Sequence, residues 1–422
     1  MGSTLQERDK KVIWHPYTPQ KYAPEPIPIV KGAGAWIFDD NGNRYLDAIS
    51  SWWVTIHGHA HPYIAERIYQ QALQLEQVIF AGFTHEPAVE LAERLLQILP
   101  GNLSKIFYSD NGSTATEVAV KMAIQYWWNR GDKKRNRILA LTHSYHGDTF
   151  GAMSVSERGM FTLAFQDRLF EVVFAETPEA GKPLSISDKI LEECACVIYE
   201  PLVQGAGGMK MYSADALNQF IAACKLHGII CIADEVMTGF GRTGKMFASS
   251  YSQAHPDIIC LSKGITGGTM ALGVTACTAG IHEAFVVDDK MKTFFHGHSF
   301  TANPLACTAA LASLDLFDRE NTLQHVERIT EKHKQFAETL HGLMHIENIR
   351  LCGTIIAFEV KDAVEGYAST LREKITEKAL KQGVYLRPLG NTVYLMPPYC
   401  TSNVELDKIY ETLTDIITTP SF

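Results

Sequence analysis

Short apolar runs alternate with stretches of helical periodicity through the middle of the chain. The runs Lys105–Tyr108, Ile138–Leu141, Val172–Phe174, Cys196–Tyr199, Ile229–Ala233 and Ile258–Leu261 have strand length and are rich in Ile, Val and Cys at successive positions. Helical patterns at about 114–130 and 214–227 separate some of them, the second opened by Ser213 as an N-cap and stopped by Gly228. Strands that are apolar on both faces and alternate with helices predict a mostly parallel sheet covered on both sides, an α/β fold. Upstream, residues 1–30 look irregular and proline-rich, and GAWIFDDNGNRYLDA reads as a hairpin turning at Asn41-Gly42. Helices are predicted over 62–80 and 86–99. Beyond about residue 305 the pattern changes to a long, broken helical stretch (305–340) and the strand Thr354–Val360. A helix near 369–381, a hairpin of Val384–Arg387 with Val393–Met396, and a last helix from about 403 complete a smaller α+β unit. The expected division is a large domain over 51–304 and a small domain made of 1–50 and 305–422.

Composition narrows the function without naming it. With 422 residues and 46% hydrophobic content the chain can build a large core without staples. Its net charge of -9 argues against a protein held on nucleic acid by phosphate contacts, but leaves small anionic substrates open, because a local cationic pocket overrides a global charge. No apolar run reaches membrane-spanning length, so no membrane partner is expected. The nine cysteines are odd in number and irregularly spaced, and no C-x-x-C pair exists, which disfavours both a disulfide framework and structural zinc. The N-terminus MGSTLQERDKK has no apolar stretch of a signal peptide, so a reducing cytoplasm is the expected location.

In open α/β sheets ligands bind beyond the carboxyl ends of the strands. The residues that follow the predicted strands are, in turn, Ser109-Asp110-Asn111-Gly112-Ser113-Thr114, His143-Ser144-Tyr145-His146-Gly147, Glu200-Pro201, Asp234-Glu235 and Ser262-Lys263-Gly264. The first of these enters a helix directly, and free N–H groups at a helix start bind phosphate. Thr114 and Glu117 also fit a capping box, which is a purely structural reading of the same loop. Lys263 ends an apolar strand, where partial desolvation makes a nucleophilic amine. Asp234 ends the very apolar IICIAD, where an unpaired carboxylate is costly and a facing cation is needed. A Schiff-base lysine, an acid for a pyridinium nitrogen and a helix-start phosphate loop are together what pyridoxal phosphate requires.

Two other motifs point elsewhere. Gly239-Phe240-Gly241-Arg242-Thr243-Gly244-Lys245 spells G-x-x-x-x-G-K, but Met246 stands where a Walker loop needs Ser or Thr, and Asp234–Thr238 separate it from the strand. His57-Gly58-His59-Ala60-His61, with His296 and His298, raises a metallohydrolase as an alternative. Against that, Gly58 and Pro62 suggest a turn and no carboxylate ligand is spaced nearby, so no metal site is expected.

The runs DEVMTGFGRTGKMFA, DIICLSKGITGG and HGHSFTANPLA are similar to the class III, fold-type I pyridoxal-phosphate aminotransferases, with matching order from about residue 15 to 415. HPYT at 15–18, SSWW at 50–53, YHGDTFGAMSVS at 145–156, EPLVQGAGGM at 200–209 and YLMPPY at 394–399 resemble the branch that aminates 8-amino-7-oxononanoate, usually with S-adenosylmethionine as donor and in some members lysine. The other class III activities, on ornithine, 4-aminobutyrate or β-alanine, are the alternative. The resemblance implies a homodimer with shared active sites. It implies that Lys263 forms the aldimine, that Asp234 faces the pyridine nitrogen, and that Gly112 and Ser113 bind the phosphate. Tyr145 and Val236 would cover the two faces of the ring, and Ser299 would reach the phosphate of the partner subunit. Arg387 matches the substrate-carboxylate arginine, while Tyr17, Trp52, Tyr145, Gly297 and Tyr394 match pocket residues. His298 stands where relatives carry proline and Ala302 where they carry glycine. Because neighbouring side chains on an extended segment face opposite ways, Trp52 is assigned to the pocket and Trp53 to the core.

Overall fold

A computed structural model describes residues 4–361 and 369–419. Its centre is a seven-stranded sheet in the order Leu103–Ser109, Gly273–Thr278, Ile258–Leu261, Ile230–Asp234, Cys194–Tyr199, Arg137–Leu141, Val173–Ala175. All neighbours are parallel except Gly273–Thr278, which runs antiparallel between its two partners. The runs read as strands are therefore strands. Gly273–Thr278 escaped the sequence reading although five of its six residues are buried. Cys194–Tyr199 and Ile230–Asp234 are buried at every position, as expected of strands covered on both faces. One cover is the helix Gly112–Asn129; another is Ala214–Leu226, where Ser213 accepts a hydrogen bond from Ala216 N at 3.1 Å and Gly228 takes the positive φ of 70° that ends a helix.

The flanking regions pair the two ends of the chain. Ile29–Ala33, Trp36–Asp39 and Arg44–Asp47 form an antiparallel meander, and Val384–Tyr385 adds to it in parallel. Thr392–Leu395 instead pairs with Ile355–Val360, which also pairs with Ile346–Cys352. This corrects the expected hairpin of 384–387 with 393–396. The two segments do not pair with each other; the chain between them makes a Leu389–Thr392 bridge, and each segment pairs with a strand of a different sheet. The long helical stretch divides into Pro304–Arg319 and Thr322–Leu340 at Asn321, which takes a left-handed φ of 50°. The first helix over 62–80 is shorter than expected, closing at Ala72. Pro304–Arg319 packs on Pro62–Ala72, on Glu86–Ile98 and on the turn Lys263–Thr266, so it backs the lysine from outside the sheet. Among the described residues no helix is long and apolar enough to cross a membrane.

Candidate active site

Asp234 and Lys263 leave neighbouring parallel strands at the same edge, with Asp234 in register with Cys260. Lys263 has a left-handed φ of 49°, a conformation that costs a non-glycine residue about 1–2 kcal/mol and is characteristically retained at functional sites. Its Nζ lies 4.5 Å from the centre of the Trp53 ring. Burial lowers the amine from 10.5 to about 8, against the opposing pull of Asp234 and Glu200, while the nearby Arg242 cation lowers it further. Asp234 is itself 5% exposed. One oxygen accepts from Val236 N at 3.0 Å, and the other lies 2.7 Å from His146 Nδ1. His146 has no other partner among the described residues for its buried Nε2.

The helix Gly112–Asn129 begins directly beyond Ser109, on the same edge. Asn111 is its N-cap, accepting from Thr114 N at 2.9 Å, while Thr114 Oγ1 accepts from Asn111 N at 3.1 Å. The capping box expected of Thr114 and Glu117 is therefore displaced by one turn, because the helix starts at Gly112 and Thr114 is already its third residue. Glu117 instead accepts from Gly151 N at 2.8 Å and Ala152 N at 3.1 Å, tying this helix to the segment after Tyr145. The Gly112 and Ser113 N–H groups have no partner among the described residues. A Cβ at Gly112 would stand 2.7 Å from Val236 Cγ1, so only glycine lets the helix start approach the strand end this closely.

These residues line a cleft of about 620 Å³ that holds Gly112, Ser113, Tyr145, Asp234, Val236 and Lys263, together with Trp53, His146 and Glu200. At its outer side Tyr17 Oη lies 3.4 Å from Tyr145 Oη and donates to Asp148. The Tyr17 ring meets Trp52 and Phe161 edge-on at 5.5 and 5.6 Å. Arg387 lies 5.0 Å over the Trp52 ring, and Tyr394 Oη accepts from Trp53 Nε1 at 2.8 Å. Burial and the neighbouring Asp148 push the Tyr17 hydroxyl up to about 12, and Tyr145 is raised for the same leading reason, so both remain phenols at neutral pH.

The structure thus brings together Lys263, Asp234, Gly112, Ser113, Tyr145 and Val236, with Tyr17, Trp52, Arg387 and Tyr394 at or behind the mouth. Gly297 and Ser299 are not among the residues lining this cleft. Their segment lies against Gln77, whose side chain donates to Ser299 O, and against Lys121, whose Nζ is 2.9 Å from His296 Nδ1. Trp53 was expected only in the core; it is buried, yet its ring faces the lysine. Alternation fails here because Ser50, Ser51 and Trp53 all take positive φ, so the segment is not extended. His146, Glu200 and Arg242 acquired no role from the sequence, although each sits within a motif that was noticed. Glu200 follows a strand directly, and Arg242 lies inside the Walker-like run, fully buried with its Nη1 donating to Pro397 O at 2.9 Å. The clustered histidines each take a different polar partner: His57 meets Ser313, His59 meets Asp47 and His61 meets Glu320. Among the described residues no three His, Cys, Asp or Glu side chains are grouped to hold a metal.

The model of the class III aminotransferase family matches residues 17–417, and the chain belongs to that family. It is 47% identical to the adenosylmethionine-8-amino-7-oxononanoate aminotransferase of Synechococcus elongatus, over 96% of this chain and 98% of that one. The crystal structure of the enzyme of the same name from Methanocaldococcus jannaschii superimposes with a TM-score of 0.93 at 36% identity, covering 98% of each chain. An amine transaminase from an uncultivated Pseudomonas species, solved in its PLP-bound internal aldimine form, matches with a TM-score of 0.87 at 30% identity over 96% of this chain and 98% of that one.

Proposed function

We propose that this chain is a pyridoxal-phosphate-dependent transaminase that converts 8-amino-7-oxononanoate to 7,8-diaminononanoate for biotin biosynthesis, with S-adenosylmethionine as amino donor. The observation that carries the reading is the pairing of a desolvated lysine with a buried carboxylate at adjacent strand ends, above a helix start with two free N–H groups. The name shared by the full-length relatives supports the choice of substrate.

The residues present fit the cofactor. Gly112 and Ser113 offer N–H groups and a hydroxyl to a phosphate, and the absent Cβ of Gly112 leaves the space. When bound, pyridoxal phosphate supplies an electron sink for the carbanion formed at the donor α-carbon. Lys263, held near neutrality by burial, takes the proton from that carbon and later returns it. Asp234, anchored by His146 and by Val236 N, presents a carboxylate to hold a proton on the ring nitrogen. Tyr145 and Val236 both line the cleft and would cover the two faces of the ring. Arg387 forks onto the terminal carboxylate of the oxononanoate, and Tyr17, Trp52 and Tyr394 line the path of its aliphatic chain.

Ser299 and Gly297 complete the site of a second copy in this reading. Their segment carries Phe300, 62% exposed, and Ile79 and Phe83 are exposed to a similar degree. The two segments are joined by hydrogen bonds from Gln77 to Ser299 O and from Asn303 to Glu76 O, and in this reading a second copy covers their exposed apolar side chains. All nine cysteines are free thiols, which accords with a reducing cytoplasm.

The test is to load the protein with pyridoxal phosphate and add candidate donors singly while watching the visible band. S-adenosylmethionine is expected to bleach it, and 8-amino-7-oxononanoate to restore it. Bleaching by lysine alone would change the donor. Bleaching by ornithine, 4-aminobutyrate or β-alanine, with no recovery on adding 8-amino-7-oxononanoate, would replace the substrate reading altogether.

A further inference from the structure

Glu200 stands directly beyond the Cys194–Tyr199 strand, one strand over from Asp234, and is 5% exposed at the wall of the cleft. Neither of its oxygens is free. Oε1 accepts from Gly205 N at 2.9 Å and Oε2 from Tyr145 N at 3.1 Å. Its own carbonyl accepts from Tyr212 Oη. One carboxylate thus holds the main chain of the residue that covers the cofactor face and the turn opposite it. The titratable groups that act on it are His146 and Asp234, and Lys263 feels it as an anion that raises the amine, opposed by Arg242.

Resting on the pyridoxal-phosphate reading, we propose that Glu200 is a positioning residue of the transamination. It fixes Tyr145 over the cofactor through the two backbone N–H groups, and its negative charge favours the protonated form of the nitrogen at Lys263. Nothing in the sequence motifs separates Glu200 from a routine strand-end acid; the geometry does, by giving it one contact to the ring-covering residue and one to the facing turn. Burial pushes its carboxyl up to about 7, so the charge is present above neutral pH and lost below it.

The sign follows. Above about pH 7 the anion holds a proton on the Lys263 nitrogen, so its removal should lower the pH at which that nitrogen deprotonates. The experiment is a pH titration of the visible band of the cofactor-loaded wild type and of E200Q, which is nearly isosteric and keeps one acceptor. The midpoint in E200Q is expected about one pH unit lower, with the two spectra coinciding at about pH 6. Coincident titrations across the whole range, with a normal band in both proteins, would overturn the charge role of Glu200 while leaving the cofactor reading intact. A wild type that forms no band would overturn the cofactor reading, and the proposal with it. Should E200Q fail to fold, infrared spectroscopy of the wild type decides. A buried carboxylic-acid carbonyl band that vanishes as pH rises through about 7 is expected, and its absence would overturn the charge assignment. Bound-cofactor circular dichroism supplies the positioning readout, since E200A, which removes both acceptors, should change the cofactor's signal even at about pH 6. An unchanged signal would reject the positioning role.

Discussion

The inner end of the cleft and its mouth are built in opposite ways. At the inner end Gly112, Tyr145, Glu200, Asp234 and Lys263 follow directly, or within a few residues, the carboxyl ends of strands in one sheet. At the mouth, Tyr17 comes from the irregular N-terminal segment, Trp52 from a kinked turn, Arg387 from just beyond the short Val384–Tyr385 strand and Tyr394 from a different sheet. At the inner end hydrogen bonds of 2.7–3.1 Å fix Asp234 and Glu200 beside fully buried strands, and Lys263 lies against the Trp53 ring. At the mouth Tyr17 and Trp52 meet edge-on, Arg387 lies over the Trp52 ring and Tyr17 donates to Asp148, while the buried Tyr394 accepts from Trp53 behind them. In the proposed reading the reaction chemistry, which tolerates little displacement, falls to the sheet edge, and substrate selection falls to elements that can vary independently of it.

That contrast breaks most sharply at Lys263. K263A should abolish the visible band of the loaded protein and lower kcat by ~10³-fold or more, checked by absorbance and steady-state rate. An active alanine variant would remove the inner end from the chemistry. D234N keeps the shape but loses the anion beside His146, and should slow the donor half-reaction by ~10²-fold in stopped flow, with cofactor affinity changed far less. In the cofactor-free protein the Lys263 amine is neutral above its depressed value, so its labelling by an amine-selective reagent should show a midpoint near pH 8 instead of 10.5, read by peptide mass spectrometry. A midpoint near 10.5 would show that burial does not tune it.

The mouth should respond differently. R387A should raise KM for 8-amino-7-oxononanoate by ~10–100-fold with kcat nearly preserved, as expected for loss of a charge-assisted hydrogen-bond pair. An equal fall in kcat would mean that Arg387 acts in the chemical step and that the two regions are not separate. Smallest of all, W53F removes the donor to Tyr394 Oη and should cost about 1 kcal/mol of stability, measured by denaturant unfolding. A pure KM effect there would move Trp53 from the wall of the lysine to the substrate path.

The same division governs what could be read in advance. Asp234 and Lys263 were legible because a polar residue at the end of an apolar strand has few roles, and the strand itself announces where its end lies. Trp53 lies in the core as expected, but its place beside Lys263 was not legible, because the positive φ of Ser50, Ser51 and Trp53 overrides alternation and no glycine in that segment marks it. The hairpin expected near the C-terminus failed because two short apolar runs carry no mark of which sheet edge they will join; Val384–Tyr385 found the N-terminal meander.

What the sequence determined by itself is therefore local. Period and apolarity set the strands and helices of the central layer, and with them the edge on which Asp234, Lys263 and the Gly112 helix start emerge. Tertiary structure alone decided which side chains meet across distant segments: His146 on Asp234, Glu200 on Tyr145, Arg387 on Trp52 and Trp53 on Lys263. The physical reason is that hydrogen bonding along a strand and burial of its faces are encoded within a few residues. The contacts that aim a buried charge depend on packing between segments tens to hundreds of residues apart, and no local pattern records them.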